Sequence, residues 1–335
     1  MRRLISSTFL AGAMLASLGA VANAQEVKLR MSNWIASQAH PISIALHEWA
    51  DKVEKDSDGR IQIDVDGAPI GGAKGQYDLI RNGATDIGWG LLSLTPGRFE
   101  LSQVIELPFL SPSGEKGSIA ATRVYNEYFA EKEFNDTKLL AIHVHGPGHL
   151  HTKGPVKKRA DMSGLKIRTV GGGVPWVEAL GATPVVQPAS ESHESLARGI
   201  TDGILFPWQA IQAYRLEELV THHLTVDKGL YTVSFFFAMN SDKYNSLPDD
   251  LKAVIDANSG EETAAFMGRA WDAADTRALD VLSKDPAHEI TEISPSELAE
   301  WTKQSEPIIG AWKTKAEAAG VDVDAVFATI SDATN

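Results

Sequence analysis

The chain has 335 residues and an acidic balance, with 31 lysines and arginines against 44 aspartates and glutamates and a formal net charge of −13. Nucleic acid and anionic membrane surfaces repel such a charge, so neither is predicted as a partner. The absence of cysteine excludes disulfides and thiolate metal sites. A chain of this length is expected to form two domains that are stabilised by burial alone.

Residues 1–24 have the pattern of a cleaved secretory signal peptide. Arg2 and Arg3 precede an uncharged apolar stretch at 4–21, and a small-residue cleavage site follows at 22–24. The alternative is a membrane anchor, because the apolar stretch approaches the length needed to span a bilayer. The serine, threonine and glycine within it favour the signal peptide, which predicts export to the periplasm.

The first third of the chain alternates strands with helices. Alternating apolar residues predict strands at 27–31 and 61–65, and Pro41 begins a helix predicted at 41–57. A helix at about 74–82 and a strand at 86–89 follow. This order predicts an α/β fold, with a mostly parallel sheet covered by helices.

The same alternation returns later in the chain, and two such units predict two lobes with a cleft between them. The later elements are strands at 139–145, 165–170, 183–186 and 203–206, and helices at 174–180 and 191–198. The C-terminal third is predicted to be mostly helical. It contains one long helix at about 261–283, and a capping box at 294–297 begins another.

Arg168 is the leading candidate for a functional residue. It lies in the short apolar strand 165–170, where a buried guanidinium is costly unless an anion meets it. The planar guanidinium matches a carboxylate in a bidentate way. The anion could belong to a ligand or to a carboxylate of the chain itself, and the strand alone leaves both open.

Short motifs surround Arg168 and run in a fixed order along most of the mature chain. They are Asp58-Gly59-Arg60, Ile70-Gly71-Gly72, Thr85-Asp86-Ile87, the segment Glu106 to Leu110, the segment Leu165 to Arg168, the segment Gly181 to Val185, and Asp202-Gly203. In sequence and order they resemble the extracytoplasmic solute-binding proteins of the tripartite ATP-independent periplasmic (TRAP) transporters, the DctP-type family.

This resemblance implies a two-lobe periplasmic binding protein fold with a ligand cleft and a long helix, 261–283, bridging the lobes. Lobe I would comprise 25–145 with about 233–260, and lobe II about 146–232 with about 285–335. The resemblance implies that Arg168 holds the carboxylate of a small organic acid. It also implies a monomeric receptor without a cofactor that delivers this acid to the membrane permease subunits of the transporter.

Two departures from the family pattern concern the ligand. Many relatives carry an asparagine where Phe206 stands, and Gly148 stands where the C4-dicarboxylate and sialic-acid readers of the family have a second carboxylate-binding arginine. With Trp208 close behind Phe206, these changes favour a monocarboxylate with an apolar or aromatic body. The alternative for Phe206 and Trp208 is packing in the core.

Further ligand-binding residues are expected near the cleft. Trp34, Trp89 and Phe109 stand at or beside family positions that approach it. His145 or His149 could donate a hydrogen bond to the ligand from a neutral ring. Some relatives bind a cation together with the carboxylate, through side chains just after the Asp-Gly strand. Gln209 stands at this position and is expected to contact the ligand. Whether a cation binds there together with the ligand is left open.

The histidines offer an alternative function. His143, His145, His149 and His151 could form the zinc site of an exported metal-binding protein. No acidic residue interleaves with them, and the glycines and proline at 146–148 break the strand. A periplasmic hydrolase is a weaker alternative, since no G-x-S-x-G or H-E-x-x-H motif is present. We therefore expect a binding protein and not an enzyme.

Overall fold

The computed structural model describes residues 27–335, so the predicted signal peptide lies outside it. Eleven strands are found among these residues: β1 Val27–Ser32, β2 Ile61–Val65, β3 Ile87–Leu91, β4 Thr137–Val144, β5 His149–Thr152, β6 Lys166–Thr169, β7 Thr183–Val186, β8 Gly203–Phe206, β9 His222–Thr225, β10 Ser234–Asn240 and β11 Glu289–Glu292. They form two separate sheets.

Eleven α-helices connect and cover the strands in the described part of the chain. They are α1 Pro41–Asp56, α2 Gln76–Arg81, α3 Gly114–Val124, α4 Gly173–Ala179, α5 Ser192–Ala197, α6 Trp208–Ala213, α7 Ser241–Asn245, α8 Asp249–Ala257, α9 Glu261–Leu282, α10 Pro295–Ala318 and α11 Val323–Thr334. None of the helices described is long and apolar enough to cross a bilayer.

The first sheet has the strand order β2-β1-β3-β10-β4. Its first three strands are parallel, as the strand–helix alternation predicts, whereas β10 runs antiparallel to β3 and β4. The apolar residues that alternate along β1, Leu29 and Met31, are fully buried. They pack beneath α1, whose Leu46, Trp49 and Val53 face the same core.

The second sheet has the order β11-β9-β5-β8-β6-β7. Strands β6, β7 and β8 are parallel, and β5 is antiparallel to both β8 and β9. The register places Arg168 of β6 beside Ile204 of β8 and Val185 of β7. The central strands of this lobe therefore bring Arg168 and the end of β8 to the same side of the cleft.

The helix α9 joins the two lobes. It contacts α1, α3 and β4 on one side and α6 on the other. Asp272 accepts hydrogen bonds from the backbone N–H groups of Gly114 and Glu115, at 2.6 and 2.9 Å. One turn further on, Asp275 accepts one from the N–H of Gln209 at 2.8 Å. The predicted two-lobe α/β fold with a long bridging helix and a cleft is confirmed.

The C-terminus differs from the lobe boundaries expected from the sequence. Residues 285–335 were expected in lobe II, yet α11 packs against α3 beside the first sheet. Lys116 of α3 reaches the backbone carbonyl of Asn335 at 2.6 Å, and Tyr128 meets Thr329 at 3.0 Å. An amphipathic pattern predicts a helix and its apolar face but not the surface on which that face docks.

Candidate functional site

A cavity lies between the two sheets, where α9 crosses from one lobe to the other. Its walls are mostly apolar, with aromatic rings from both lobes and Arg168 among them. The lining residues are Trp34, Ile35, His40, Trp89, Leu91, His145, Arg168, Val170, Ala189, Phe206, Pro207, Gln209, Ala210, Tyr214, Tyr231, Val233, Phe235 and Trp271.

Arg168 lines this cavity from β6 and is only 2% exposed. Its Nε and Nη2 atoms donate to the backbone carbonyl of Gln187, at 3.2 and 2.9 Å. Its Nη1 atom is buried and has no hydrogen-bond partner. The carbonyl fixes one edge of the guanidinium and leaves the Nη1/Nη2 end for another acceptor. Burial lowers the pKa of Arg168, as expected for a cation without a buried counter-charge.

The salt bridge considered as the alternative for Arg168 is not the arrangement found, since its hydrogen bonds go to a backbone carbonyl. Instead, the guanidinium lies over the Phe206 ring, 4.4 Å from its centroid. Phe206 also stacks on Tyr214, with the two ring centroids 5.6 Å apart and the ring planes 20° from parallel. A cation–π contact of this kind stabilises a charge that is removed from water.

Gly148 has a steric reason to be glycine. A Cβ atom at this position would overlap the ring of Tyr231. The backbones of the two residues are paired as well, since the Gly148 N–H donates to the Tyr231 carbonyl at 2.9 Å. The Tyr231 hydroxyl donates to the carbonyl of Leu205 at 2.7 Å, which holds the ring in the cavity wall. The place beside Gly148 is thus occupied by an aromatic ring.

The opposite wall comes from the first lobe. Trp34 and Trp89 lie 4.6 Å apart between ring centroids, and Trp89 packs against Phe235 at 5.5 Å. Phe235 stacks in turn on Trp271 of α9 at 5.7 Å. The Nε1 atom of Trp34 is buried without a partner, whereas that of Trp89 donates to Asn33 at 3.3 Å. Trp34 and Trp89 both line the cavity, and their contact with a ligand stays a prediction.

His145 lines the cavity, but its hydrogen-bond role differs from the one expected. Its Nδ1 atom lies 2.6 Å from the carbonyl of Gly146, which only accepts, so Nδ1 carries the proton. Burial lowers the pKa of His145 to about 4, which makes the ring neutral. Nε2 is then an acceptor. The expected donor to the ligand is therefore an acceptor in this arrangement.

Gln209 lines the cavity next to the bridging helix. Its side-chain Oε1 is buried without a partner, and so is the Oδ2 atom of Asp275, whose other oxygen accepts the Gln209 N–H. Burial raises the pKa of Asp275 to about 8. At neutral pH the Oδ2 atom of Asp275 therefore carries a proton, and the Oε1 atom of Gln209 is the acceptor available to a donor or to a cation that enters beside it.

Three expected site residues do not line the cavity. Trp208 is buried behind it, with its ring 5.6 Å from His149 and 5.0 Å from His151. His149 is buried in the same group. Phe109 packs edge-on against Trp176 at 5.6 Å. Trp208 packs among these histidines and not in the cavity wall, which is the arrangement of the core-packing alternative.

The histidines expected for the zinc alternative are not assembled as a metal site. His143 accepts a hydrogen bond from the Trp271 indole at 3.2 Å, and His151 contacts His223 and the Phe206 carbonyl. Among residues 27–335, no group of three or more histidine, cysteine, aspartate or glutamate side chains is arranged to hold a metal ion. The zinc alternative receives no support from this arrangement.

Several cavity residues were not identified from the sequence. Tyr214, Tyr231, Phe235, His40 and Trp271 all line the cavity. Only Phe235 and Trp271 lie within a strand or helix, and buried aromatic residues occur in cores as well as in binding sites. The cluster of aromatic residues at 231–237 was the one signal that could have drawn attention to them.

Comparison with known proteins identifies the family to which this architecture corresponds. Residues 32–315 match the family model for the bacterial extracellular solute-binding proteins, family 7 (DctP). A TRAP periplasmic solute-binding protein from Bordetella bronchiseptica, solved with (R)- and (S)-mandelate, is 30% identical, with a TM-score of 0.86 over 90% of this chain and 97% of that one.

Two further relatives differ in what they bind. A TRAP solute-binding protein from Rhodoferax ferrireducens T118, solved with copurified benzoate, is 32% identical, with a TM-score of 0.83 over 92% of this chain and 97% of that one. The C4-dicarboxylate-binding periplasmic protein DctP of Rhodobacter capsulatus is 22% identical over 92% of each chain.

The fold and the cavity therefore define a solute-binding receptor of the TRAP type, a class that binds small organic acids and works with a membrane permease. The chain belongs to the DctP family of bacterial extracellular solute-binding proteins, whose members are periplasmic. The resemblance found in the sequence motifs is confirmed.

Proposed function

We propose that this receptor binds an aromatic or otherwise apolar monocarboxylate, and that Arg168 holds its carboxylate. The observation that carries the proposal is the buried Nη1 atom of Arg168, which has no partner in an apolar cavity. A carboxylate would satisfy this atom with a charge-assisted hydrogen bond and would supply the missing counter-charge. The Gln187 carbonyl and the Phe206 ring keep the guanidinium in place before the ligand arrives.

The rest of the cavity supports one carboxylate and not two. Tyr231 fills the place beside Gly148 where a second arginine would extend, and Phe206 replaces an amide with a ring. A second ligand carboxylate would be desolvated without a cation, which costs several kcal/mol. Trp34, Trp89 and Phe235 offer faces on which an aromatic ring can pack. Two relatives that are 30% and 32% identical to this chain were solved with mandelate and benzoate, which is consistent with such a ligand.

The remaining features of the proposal follow from the family. The chain would be exported after cleavage of residues 1–24, act as a monomer and hand its ligand to the permease without chemical change. A cation beside Gln209 could enter with the ligand, and we expect it to appear only when ligand is bound.

The test is a calorimetric and thermal-shift screen of the mature protein. Benzoate, mandelate and phenylacetate represent the proposed class, and succinate, malate and glucuronate serve as polar comparison ligands. We expect the aromatic monocarboxylates to bind most tightly, to raise the melting temperature and to be recovered unchanged. Submicromolar succinate binding without any monocarboxylate hit would overturn the proposal.

A further inference from the structure

Three histidines form a continuous hydrogen-bonded chain from the surface of lobe II to the wall of the ligand cavity. Nδ1 of His288 lies 2.8 Å from Nε2 of His223. Nδ1 of His223 lies 2.7 Å from Nδ1 of His151, and Nε2 of His151 lies 3.1 Å from the carbonyl oxygen of Phe206. His288 is half-buried, whereas His223 and His151 are buried.

The proton positions in the histidine chain follow from the contact between His151 and the Phe206 carbonyl. A carbonyl oxygen only accepts, so His151 carries its proton on Nε2, and in the neutral ring its Nδ1 must accept. His223 must then donate from Nδ1 and accept at Nε2, which requires His288 to donate from Nδ1. Burial favours the neutral form, since it lowers the pKa of His223 to about 3 and that of His151 well below its usual value. All three hydrogen bonds thus run in one direction, towards Phe206.

We propose that His151 is a positioning residue for ligand binding, and that the chain His288–His223–His151 fixes Phe206 beneath the guanidinium of Arg168. Phe206 ends β8 and is followed by Pro207, which has no N–H to donate to neighbouring strands. Its carbonyl is anchored by the His151 ring, and its side chain supports Arg168 at 4.4 Å. Hydrogen bonds that are aligned in series polarise and strengthen one another.

The directional arrangement of the histidine chain is tested first by measuring the proton positions on its rings, which needs no ligand. Nitrogen-15 NMR of the histidine rings at neutral pH should show the proton on Nε2 of His151 and on Nδ1 of both His223 and His288. Any other pattern, including a charged ring within the chain or averaging between tautomers, would overturn the directional arrangement.

The positioning role is tested with two substitutions at one site. His151→Gln keeps one donor and one acceptor and can still donate to the Phe206 carbonyl, whereas His151→Leu removes both. The Arg168 Nε–H resonance reports the position of the Phe206 ring. We expect it to move in His151→Leu and to stay close to the wild-type position in His151→Gln. His222→Gln is the matched control, because His222 is adjacent in sequence but its Nδ1 contacts Thr221 outside the chain.

Benzoate affinity gives a second reading that rests on the proposed function. His151→Leu should weaken benzoate binding about three- to tenfold, the scale of one lost hydrogen bond, and His151→Gln should stay within about twofold of the wild type. Equal effects of the two substitutions on both affinity and the Arg168 resonance would overturn the proposal. If the wild type did not bind benzoate, the proposed function would fail while the resonances still decided the positioning role.

Discussion

At the scale of single residues, the site depends on how a buried cation is held without a buried anion. The Gln187 carbonyl and the Phe206 ring hold the guanidinium of Arg168 in its orientation. Its Nη1 atom is left buried without a hydrogen-bond acceptor. The sequence predicted Arg168 and Phe206 as partners of the ligand. It could not predict the contact between them, because strand spacing does not specify which side chains meet across β6 and β8.

Replacing Phe206 tests the contribution of the ring to ligand choice. Phe206→Asn should weaken benzoate binding by about 1 kcal/mol or more, because the cation–π support of Arg168 is lost and the wall becomes polar. The affinity for a polar monocarboxylate such as lactate should fall less than that for benzoate, or should rise. Competition calorimetry measures the ratio of the two affinities. Phe206→Leu is the control for an apolar wall without a ring, and an unchanged ratio in Phe206→Asn would contradict this account of ligand selection.

At the scale of elements, Glu106 links three segments around the site. Its carboxylate accepts from the N–H of Gly172 at 2.8 Å, just before α4, and from the N–H and hydroxyl of Ser234 at 3.0 and 2.5 Å, where β10 begins. Cβ atoms at Gly171 or Gly172 would crowd Glu106. The motif around Glu106 was recognised from the sequence, but its role in joining the segments that flank the cavity depends on long-range contacts.

The Glu106 link predicts a specific loss of stability. Glu106→Gln replaces one acceptor oxygen with a donor that faces a backbone N–H or the Ser234 hydroxyl. We expect the free energy of unfolding to fall by about 1–3 kcal/mol, the cost of leaving a buried polar group unpaired. Urea unfolding followed by circular dichroism measures this. Glu100→Gln, which removes a surface pair with Lys315, should change it by less than about 1 kcal/mol, and similar losses in both variants would contradict the role given to Glu106.

Element boundaries show how far local sequence determines this fold. The helices predicted at 41–57 and 261–283 occur at Pro41–Asp56 and Glu261–Leu282, since periodic apolar faces and caps are local signals. The docking of α11 on α3 was missed because it depends on which apolar surface is left uncovered after the rest of the chain has folded. Trp208 was expected near the ligand, whereas its ring packs against His149 and His151, because apolar character alone does not distinguish a cavity wall from the core behind it.

At the scale of the whole molecule, buried neutral histidines link stability to pH. Burial lowers the pKa values of His40, His143, His145, His149, His151 and His223 below the ordinary 6.5. Between pH 6.5 and about 4 the unfolded chain therefore binds protons that the folded chain does not. Each such histidine lowers stability by up to about 1.4 kcal/mol per pH unit as the pH falls through this range.

Four buried acids, Asp275, Glu106, Glu133 and Asp272, oppose this trend because burial raises their pKa values. The pKa of Asp275 is raised to about 8, so the folded state holds a proton that the unfolded state releases above its ordinary pKa of 3.8. These four acids are outnumbered by the six histidines. We expect the free energy of unfolding in urea to fall from pH 7 to pH 5. A flat profile, or a rise towards acid pH, would show that these rings are not buried and neutral in solution.

The measurement that bears most directly on the central claim is calorimetric titration of benzoate into the wild type, Arg168→Ala and Arg168→Lys, with benzamide as the uncharged analogue. Truncating one partner of a buried charge pair costs roughly 2–5 kcal/mol, so Arg168→Ala should weaken benzoate binding at least about thirtyfold. Arg168→Lys should restore it only in part. Benzamide should bind the wild type weakly and be much less sensitive to the substitution. Near wild-type benzoate affinity in a folded Arg168→Ala protein would contradict the claim that Arg168 holds the ligand carboxylate.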